Sequence, residues 1–276
     1  MIVSRLNVDP GSEIGDEVHA RNQGLLTDLK GMWSMLMDIG SVKLFYVITR
    51  IILSKLWRTL WYWNTTEDRL LAYVKKTAVE GDPASVLAAI RKYNDYEWTM
   101  ALHPEKKLKT DEVVRKATPE ICFEMGCYVG LSAITVASQI PPGGRLITVE
   151  YVPKIADVAR ELVHFAGLDQ VITVITGTAE DAIKVLRSEY HVDKLDFVFV
   201  DHCKWQYLPD LKLLEKERLL RKGTIIMADD MLWPGAPDYL EYVENDPKYQ
   251  TERFNCKAIL LNVPVAMAIS VYQGED

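Results

Sequence analysis

Two short apolar runs each end in acids. Phe197-Val198-Phe199-Val200 leads into Asp201, with Lys204 three residues further on, and Thr224-Ile225-Ile226-Met227-Ala228 leads into Asp229 and Asp230. Such runs read as strands buried on both faces. Ligands of open α/β sheets bind beyond the carboxyl ends of the strands. The two runs therefore bring three carboxylates and one lysine to one sheet edge. Hard oxygen donors of this kind suit a Mg²⁺-type cation, and a nearby lysine is a candidate proton acceptor. A surface lysine following a strand is the bland alternative for Lys204; its spacing from Asp201 argues against it.

A second constellation lies upstream. Ile121-Cys122-Phe123-Glu124 reads as a strand that runs into Met125-Gly126-Cys127-Tyr128-Val129-Gly130, with a helix from Leu131 to Ser138. Glycines there permit a tight strand-to-helix turn and close approach of a ligand. The next strand, Arg145-Leu146-Ile147-Thr148-Val149-Glu150, ends in an acid 20 residues after Gly130. An acid at that place can accept from both hydroxyls of a nucleoside ribose. The turn is not G-x-G-x-x-G, which disfavours a nicotinamide dehydrogenase. Glu97-Trp98-Thr99-Met100 and His103-Pro104-Glu105-Lys106 read as a loop before the first strand. Trp98 and Met100 fit either ordinary core or the wall of a small-molecule pocket.

The elements that must hold these residues alternate. Thr65-Thr66-Glu67-Asp68 begins a helix through Val74. Gly81-Asp82-Pro83 breaks it, and Asp82 or Ser85 starts another over Val86 to Tyr93, the two helices reading as a cover for the site. Further helices are expected over Thr110–Ala117, Ile155–Ala166, Ala182–Tyr190 and Leu208–Leu220, with a short one from Tyr239 to Val243. Strands are expected at Val171–Thr176, Cys256–Leu261 and Val265–Tyr272, the last two as an antiparallel hairpin. Strands alternating with helices predict an α/β fold, a mostly parallel doubly wound sheet with helices on both faces.

The chain has 276 residues and a formal net charge of −7, which disfavours a general nucleic-acid binder. Cys122, Cys127, Cys203 and Cys256 show neither metal-ligand spacing nor a disulfide framework, as expected of reduced thiols in a cytoplasmic-facing domain. Residues 1–23 are polar, lack a signal-peptide layout and read as a disordered lead-in. Residues 24–63 differ in kind, carrying Lys30, Lys43, Arg50, Lys55 and Arg58 together with Trp33, Trp57, Trp61 and Trp63. On a helix, Lys43, Arg50, Ser54, Lys55 and Arg58 share an arc of about 140°. The charges interrupt every apolar run well short of the about 20 residues that a spanning helix needs. Two readings stay open: a helix lying in a membrane interface, or one docked on its own domain or on a second subunit. Residues 64–276 read as one α/β domain that carries the candidate site.

At Glu97-Trp98-Thr99-Met100, Glu124 to Ser132, Val149-Glu150, Leu195 to His202 with Lys204, Tyr207-Leu208-Pro209-Asp210, and Ala228-Asp229-Asp230 with Pro234-Gly235-Ala236-Pro237-Asp238, the chain resembles the catechol O-methyltransferase family. The likeness covers about Thr66 to Gly274, and the basic, apolar N-terminal region looks like that of membrane-associated members. The resemblance implies the Rossmann-like seven-stranded class I methyltransferase fold, S-adenosylmethionine as methyl donor, Mg²⁺, and a small catechol-type acceptor. By motif, Glu150 holds the ribose, with Tyr151 beside it. Leu102, Glu124, Gly126, Tyr128 and Ser132 surround the methionine part, and Ala179, Glu180 and His202 flank the adenine, near Asp201. Asp201, Asp229 and Asp230 hold the metal, and Lys204 is the general base. Trp98, Met100 and Pro234 border the acceptor, next to Lys204 and Asp230.

The chain departs from the family pattern in three places. Asp230 stands where the third metal ligand is usually Asn, adding a negative charge beside the cation. Cys203 replaces the aromatic that usually follows His202, with Trp205 two residues on. Ala268 falls where a substrate-orienting Glu is expected. These departures keep two further readings in play: methylation of another vicinal diol or hydroxylated aromatic, and a non-catalytic cofactor-binding adaptor. Retention of Lys204, Asp201 and Asp229 argues against the adaptor.

Overall fold

The computed structural model describes Thr49, Leu53 and residues 65–97, 99–100, 104–257 and 264–274. The chain divides into two units, Met1–Trp63 and Asn64–Asp276. In the first, Thr49 and Leu53 are helical; the remaining residues of the expected lead-in and amphipathic region lie outside the described residues. Among the described residues no helix is long and apolar enough to cross a membrane.

Local chemistry explains how the second unit begins. Thr65 caps α1 (Thr66–Thr77) by accepting from the Asp68 N–H, while the Asp68 carboxylate accepts from the Thr65 N–H. This reciprocal box satisfies two donors that a helix start leaves free. Asp82, rather than Ser85, caps α2 (Pro83–Tyr93), accepting from the N–H groups of Ala84 and Ser85. Next, α3 (Pro104–Ala117) begins earlier than the helix expected at Thr110. The run from Pro104 to Lys106 is therefore its first turn and not a loop, since proline suits the opening of a helix, where its missing N–H costs nothing.

Strands and helices then alternate: β1 (Ile121–Met125), α4 (Leu131–Ala137), β2 (Arg145–Glu150), α5 (Pro153–Phe165), β3 (Ile172–Thr176), α6 (Ala179–Val185), β4 (Leu195–Val200), α7 (Tyr207–Lys216), β5 (Leu220–Ala228), α8 (Pro237–Asn245), β6 (Tyr249–Lys257) and β7 (Pro264–Tyr272). The bounds of three further elements depart most from expectation. Thr178 caps α6, so that helix starts and ends earlier than Ala182–Tyr190. Helix α7 stops at Lys216, Arg218 has a φ of 53°, and Leu220 already belongs to β5. Strand β6 begins at Tyr249, well before Cys256. It lies at the edge of the sheet, so polar Gln250, Thr251, Glu252 and Arg253 interrupt the apolar run that marks a central strand.

The seven strands run in the order β3-β2-β1-β4-β5-β7-β6, with β7 antiparallel to both its neighbours. The expected antiparallel pairing of the last two strands is borne out. Phe197 and Phe199 of β4 pack into one core with α1, α2, α4 and α5, whereas Val198 and Val200 pack into another with α6, α7 and α8. Strand β4 is thus covered on both faces, as its unbroken apolar run predicts. Helices α1 and α2 do not simply cover the site. Leu70, Val74, Val86 and Ile90 join the first core.

Strand order reverses between β1 and β4. From β1 the chain turns into α4 on one face, and from β4 into α7 on the other. The two connections diverge and leave a crevice at the carboxyl ends of these strands, where ligands bind in such sheets.

Candidate active site

The glycine turn and the β4 end meet at this crevice. Gly126 has a φ of 96°, and a Cβ placed on it would lie 2.2 Å from the Asp201 carbonyl oxygen. The Asp201 N–H donates to the Met125 carbonyl at 2.8 Å, so the backbones touch directly. Any side chain at 126 forces them apart. The same turn addresses Glu150. Its carboxylate accepts from the Tyr128 N–H at 2.8 Å and the Val152 N–H at 3.0 Å. Burial raises the Glu150 pKa, and these backbone donors only partly offset the rise. The Tyr128 hydroxyl donates to Glu67 at 2.7 Å, tying α1 to the turn.

Beneath the turn, Glu124 is fully buried. Burial pushes its pKa up to about 8, against favourable contacts from the Thr148 and Ser132 hydroxyls. Thr148 donates to one carboxylate oxygen at 2.5 Å; the other, Oε1, has no hydrogen-bond partner. His202 pairs through Nε2 with Asp210 at 2.8 Å, stacks on Tyr207 and keeps a buried Nδ1 without a partner. A buried carboxylate oxygen and a buried imidazole nitrogen are thus left without partners near the carboxyl ends of β1 and β4, and a polar ligand such as a nucleoside can satisfy polar atoms of this kind.

On the far side of β4, Asp201, Asp229 and Asp230 offer carboxylate oxygens that all lie within 4.8 Å of one another. The donor set is all oxygen and anionic, which fits Mg²⁺ or a similar hard cation. Asp230 has a φ of 56°, a left-handed conformation that aspartate tolerates, and its N–H donates to Asp229 Oδ1 at 2.6 Å. Lys204 Nζ lies 3.0 Å from Asp201 Oδ1 and 3.9 Å from Asp230 Oδ2, and donates to the Tyr207 hydroxyl at 2.6 Å. Burial pulls the Lys204 pKa down, but Asp201, Asp230 and Asp229 outweigh it and hold the ammonium above its ordinary value. Asp229 shifts upward, through burial and then through the like charges of Asp230 and Asp201.

The structure thus brings Asp201, Asp229, Asp230 and Lys204 together, and groups Gly126, Tyr128 and Glu150 around one turn. Other expected residues stand differently. Glu180 is exposed and paired with Lys184 at 2.6 Å, and Ala179 is buried in the second core. Met100 and Tyr151 are exposed, at 54% and 66%. Trp98, Leu102 and the Pro234 side chain lie outside the described residues. Ala268 is buried in the second core opposite Ala228, one residue before Asp229.

Two site residues were missed. Lys106, on the first turn of α3 and 4% exposed, lies 2.5 Å from both Asp229 Oδ1 and Asp230 Oδ1. Nothing in its neighbours Glu105 and Lys107 marks it. The fully buried Tyr207 supports Lys204 from below; its i+3 spacing from Lys204 was a readable signal.

A family model described as O-methyltransferase matches residues 92–270. Catechol O-methyltransferase of Bos taurus is 38% identical over 88% of this chain and 89% of its own length. Transmembrane O-methyltransferase of Homo sapiens is 35% identical over 75% of this chain and 72% of its own. Among solved structures, the O-methyltransferase from Bacillus cereus in complex with SAH is 20% identical, with a TM-score of 0.59 over 80% of this chain and 97% of that one.

Proposed function

The chain belongs to the O-methyltransferase family, and from that premise we propose that it transfers a methyl group from S-adenosylmethionine to a hydroxyl of a catechol-type acceptor, aided by Mg²⁺. The observation that carries this reading is the juxtaposition at the end of β4: three carboxylates clustered within 4.8 Å and a lysine 3.0 Å from one of them. Catechol O-methyltransferases among its relatives support the acceptor class.

When bound, S-adenosylmethionine supplies an electrophilic methyl group and Mg²⁺ supplies positive charge that acidifies paired hydroxyls. The chain's own residues do the rest. Asp201, Asp229 and Asp230 hold the cation. Glu150, fixed by two backbone donors, takes the ribose hydroxyls, with Tyr151 alongside. By family motif, Leu102, Glu124, Gly126, Tyr128 and Ser132 would hold the methionine part, and Ala179 and His202 would flank the adenine. Lys204 receives the acceptor's proton. Its carboxylate neighbours favour the ammonium, so it becomes a base only when their charge is neutralised. Trp98, Met100 and Pro234 border the acceptor ring. Catalysis by such a site is mainly orientation.

The test is methyl transfer to a simple catechol, with Mg²⁺ and with chelator. Transfer that vanishes on chelation is expected. Transfer that survives chelation removes the carboxylates from the reaction, and activity confined to other vicinal diols moves the acceptor class. For residues 24–63, the tryptophans and basic arc support contact with a membrane interface. Replacing Trp57, Trp61 and Trp63 with serine in the full chain is then expected to abolish co-sedimentation with anionic vesicles. Unchanged sedimentation favours docking on protein.

A further inference from the structure

Five charged side chains meet at the β4–β5 end, not four. Lys204 pairs with Asp201 and Asp230, and Lys106 pairs with Asp229 and Asp230. Lys106 reaches them from α3, 124 residues away from Asp230 in sequence. Its ammonium contacts Oδ1 of Asp229 and Oδ1 of Asp230, each at 2.5 Å, and its side chain is 5% exposed. The neighbouring lysines of α3 are committed elsewhere: Lys107 to Asp111, and Lys109 to Glu112 and Glu252. Lys106 therefore sits where a cation shared by Asp229 and Asp230 is needed, and it is itself a cation.

We propose that Lys106 is a resident counter-ion that holds Asp229 and Asp230 together when no divalent cation is bound and competes with that cation for their oxygens. The inference rests on reading the three aspartates as a divalent-cation site. Removing one partner of a buried ion pair leaves an uncompensated charge, and here the charge left behind is two adjacent carboxylates. Lys106 is thus a positioning residue for the metal-free protein. Its long flexible stem and compact charge let it withdraw without rearranging the backbone. Asp230 gives the lysine its second anchor. An uncharged residue at that position would leave Lys106 with Asp229 alone and weaken the competition.

The test uses the full chain free of cofactor, with Mn²⁺ as the probe and its free concentration read by electron paramagnetic resonance. Lys106→Met is expected to bind Mn²⁺ about tenfold more tightly than the unmodified protein. In chelator it is expected to melt several degrees lower. The rise in melting temperature on adding Mn²⁺ should grow accordingly. In an Asp230→Asn background, Lys106→Met should change both quantities by much less. Unchanged or weaker Mn²⁺ binding by folded Lys106→Met overturns the competition, and Lys106→Gln gives the same decision if the methionine variant does not fold. The underlying site reading fails separately. It fails if Asp201→Asn binds Mn²⁺ as tightly as the unmodified protein. The counter-ion role then stands or falls on whether Asp230→Asn suppresses the stability loss in chelator.

Discussion

The two banks of the β4 end are built by different means. On the β1 side the backbone does the work. Gly126 lets two chain segments touch, and the N–H groups of Tyr128 and Val152 aim Glu150. On the β5 side a balance of charge does it. Three carboxylates are held by two lysines, one from the same turn and one from a distant helix. The first bank is stiff, since its geometry follows from dihedral angles and from hydrogen bonds donated by the backbone. On the Lys106 proposal the second is adjustable, its order depending on which cations are present.

Substitutions in the two banks should therefore fail in different ways. The largest effect is expected from Gly126→Ala. A Cβ 2.2 Å from the Asp201 carbonyl, at a φ of 96°, must displace both strands' ends. Cofactor binding should be lost in calorimetry and the melting temperature should fall, because strained left-handed backbone and overpacking each cost about 1–3 kcal/mol. Near-normal cofactor affinity in this variant would erase the distinction between the banks.

Lys204→Ala should separate them most cleanly. Turnover is expected to drop by about 10²–10⁴, the range for loss of a proton-transfer group, while the cofactor dissociation constant stays within a few-fold. A matched loss of cofactor binding would mean the two banks are coupled.

Glu124 provides a pH signature of the stiff bank. Its pKa is raised to about 8 in the fold, from near 4.5 when exposed. Between those values the folded state binds more protons than the unfolded one, so this group makes stability fall as pH rises, by at most about 1.4 kcal/mol per pH unit. Glu124→Gln should flatten the decline in melting temperature from pH 5 to 8 in cofactor-free protein. An unaltered slope would show that Glu124 is not the titrating group. The smallest effect is expected from Tyr128→Phe. It removes the hydrogen bond to Glu67 at 2.7 Å and should cost about 1 kcal/mol in denaturant unfolding.

The unequal legibility of the banks has the same origin. Gly126, Glu150, Asp201 and Asp229-Asp230 each sit at the end of an apolar run, and strand ends converge on one edge once the sheet is parallel. The acids could be placed from the sequence for that reason. Tyr207 carried a weaker signal, one helical turn from Lys204. Lys106 carried none, since a lysine in a helix with three others of its kind reads as solvated surface. Edge strand β6 began earlier than read, because its polar face masks the apolar pattern.

By itself, the sequence determined the alternation of strands and helices, the glycine turn and the three acids at the β4 and β5 ends. All of these follow from local sterics and the period of burial along the chain. Tertiary structure alone decided that α3 turns Lys106 inward onto Asp229 and Asp230, and that Glu180 points outward to Lys184. Ionic contacts between elements depend on how helices lie across the sheet. A charge has no periodicity from which its partner can be read.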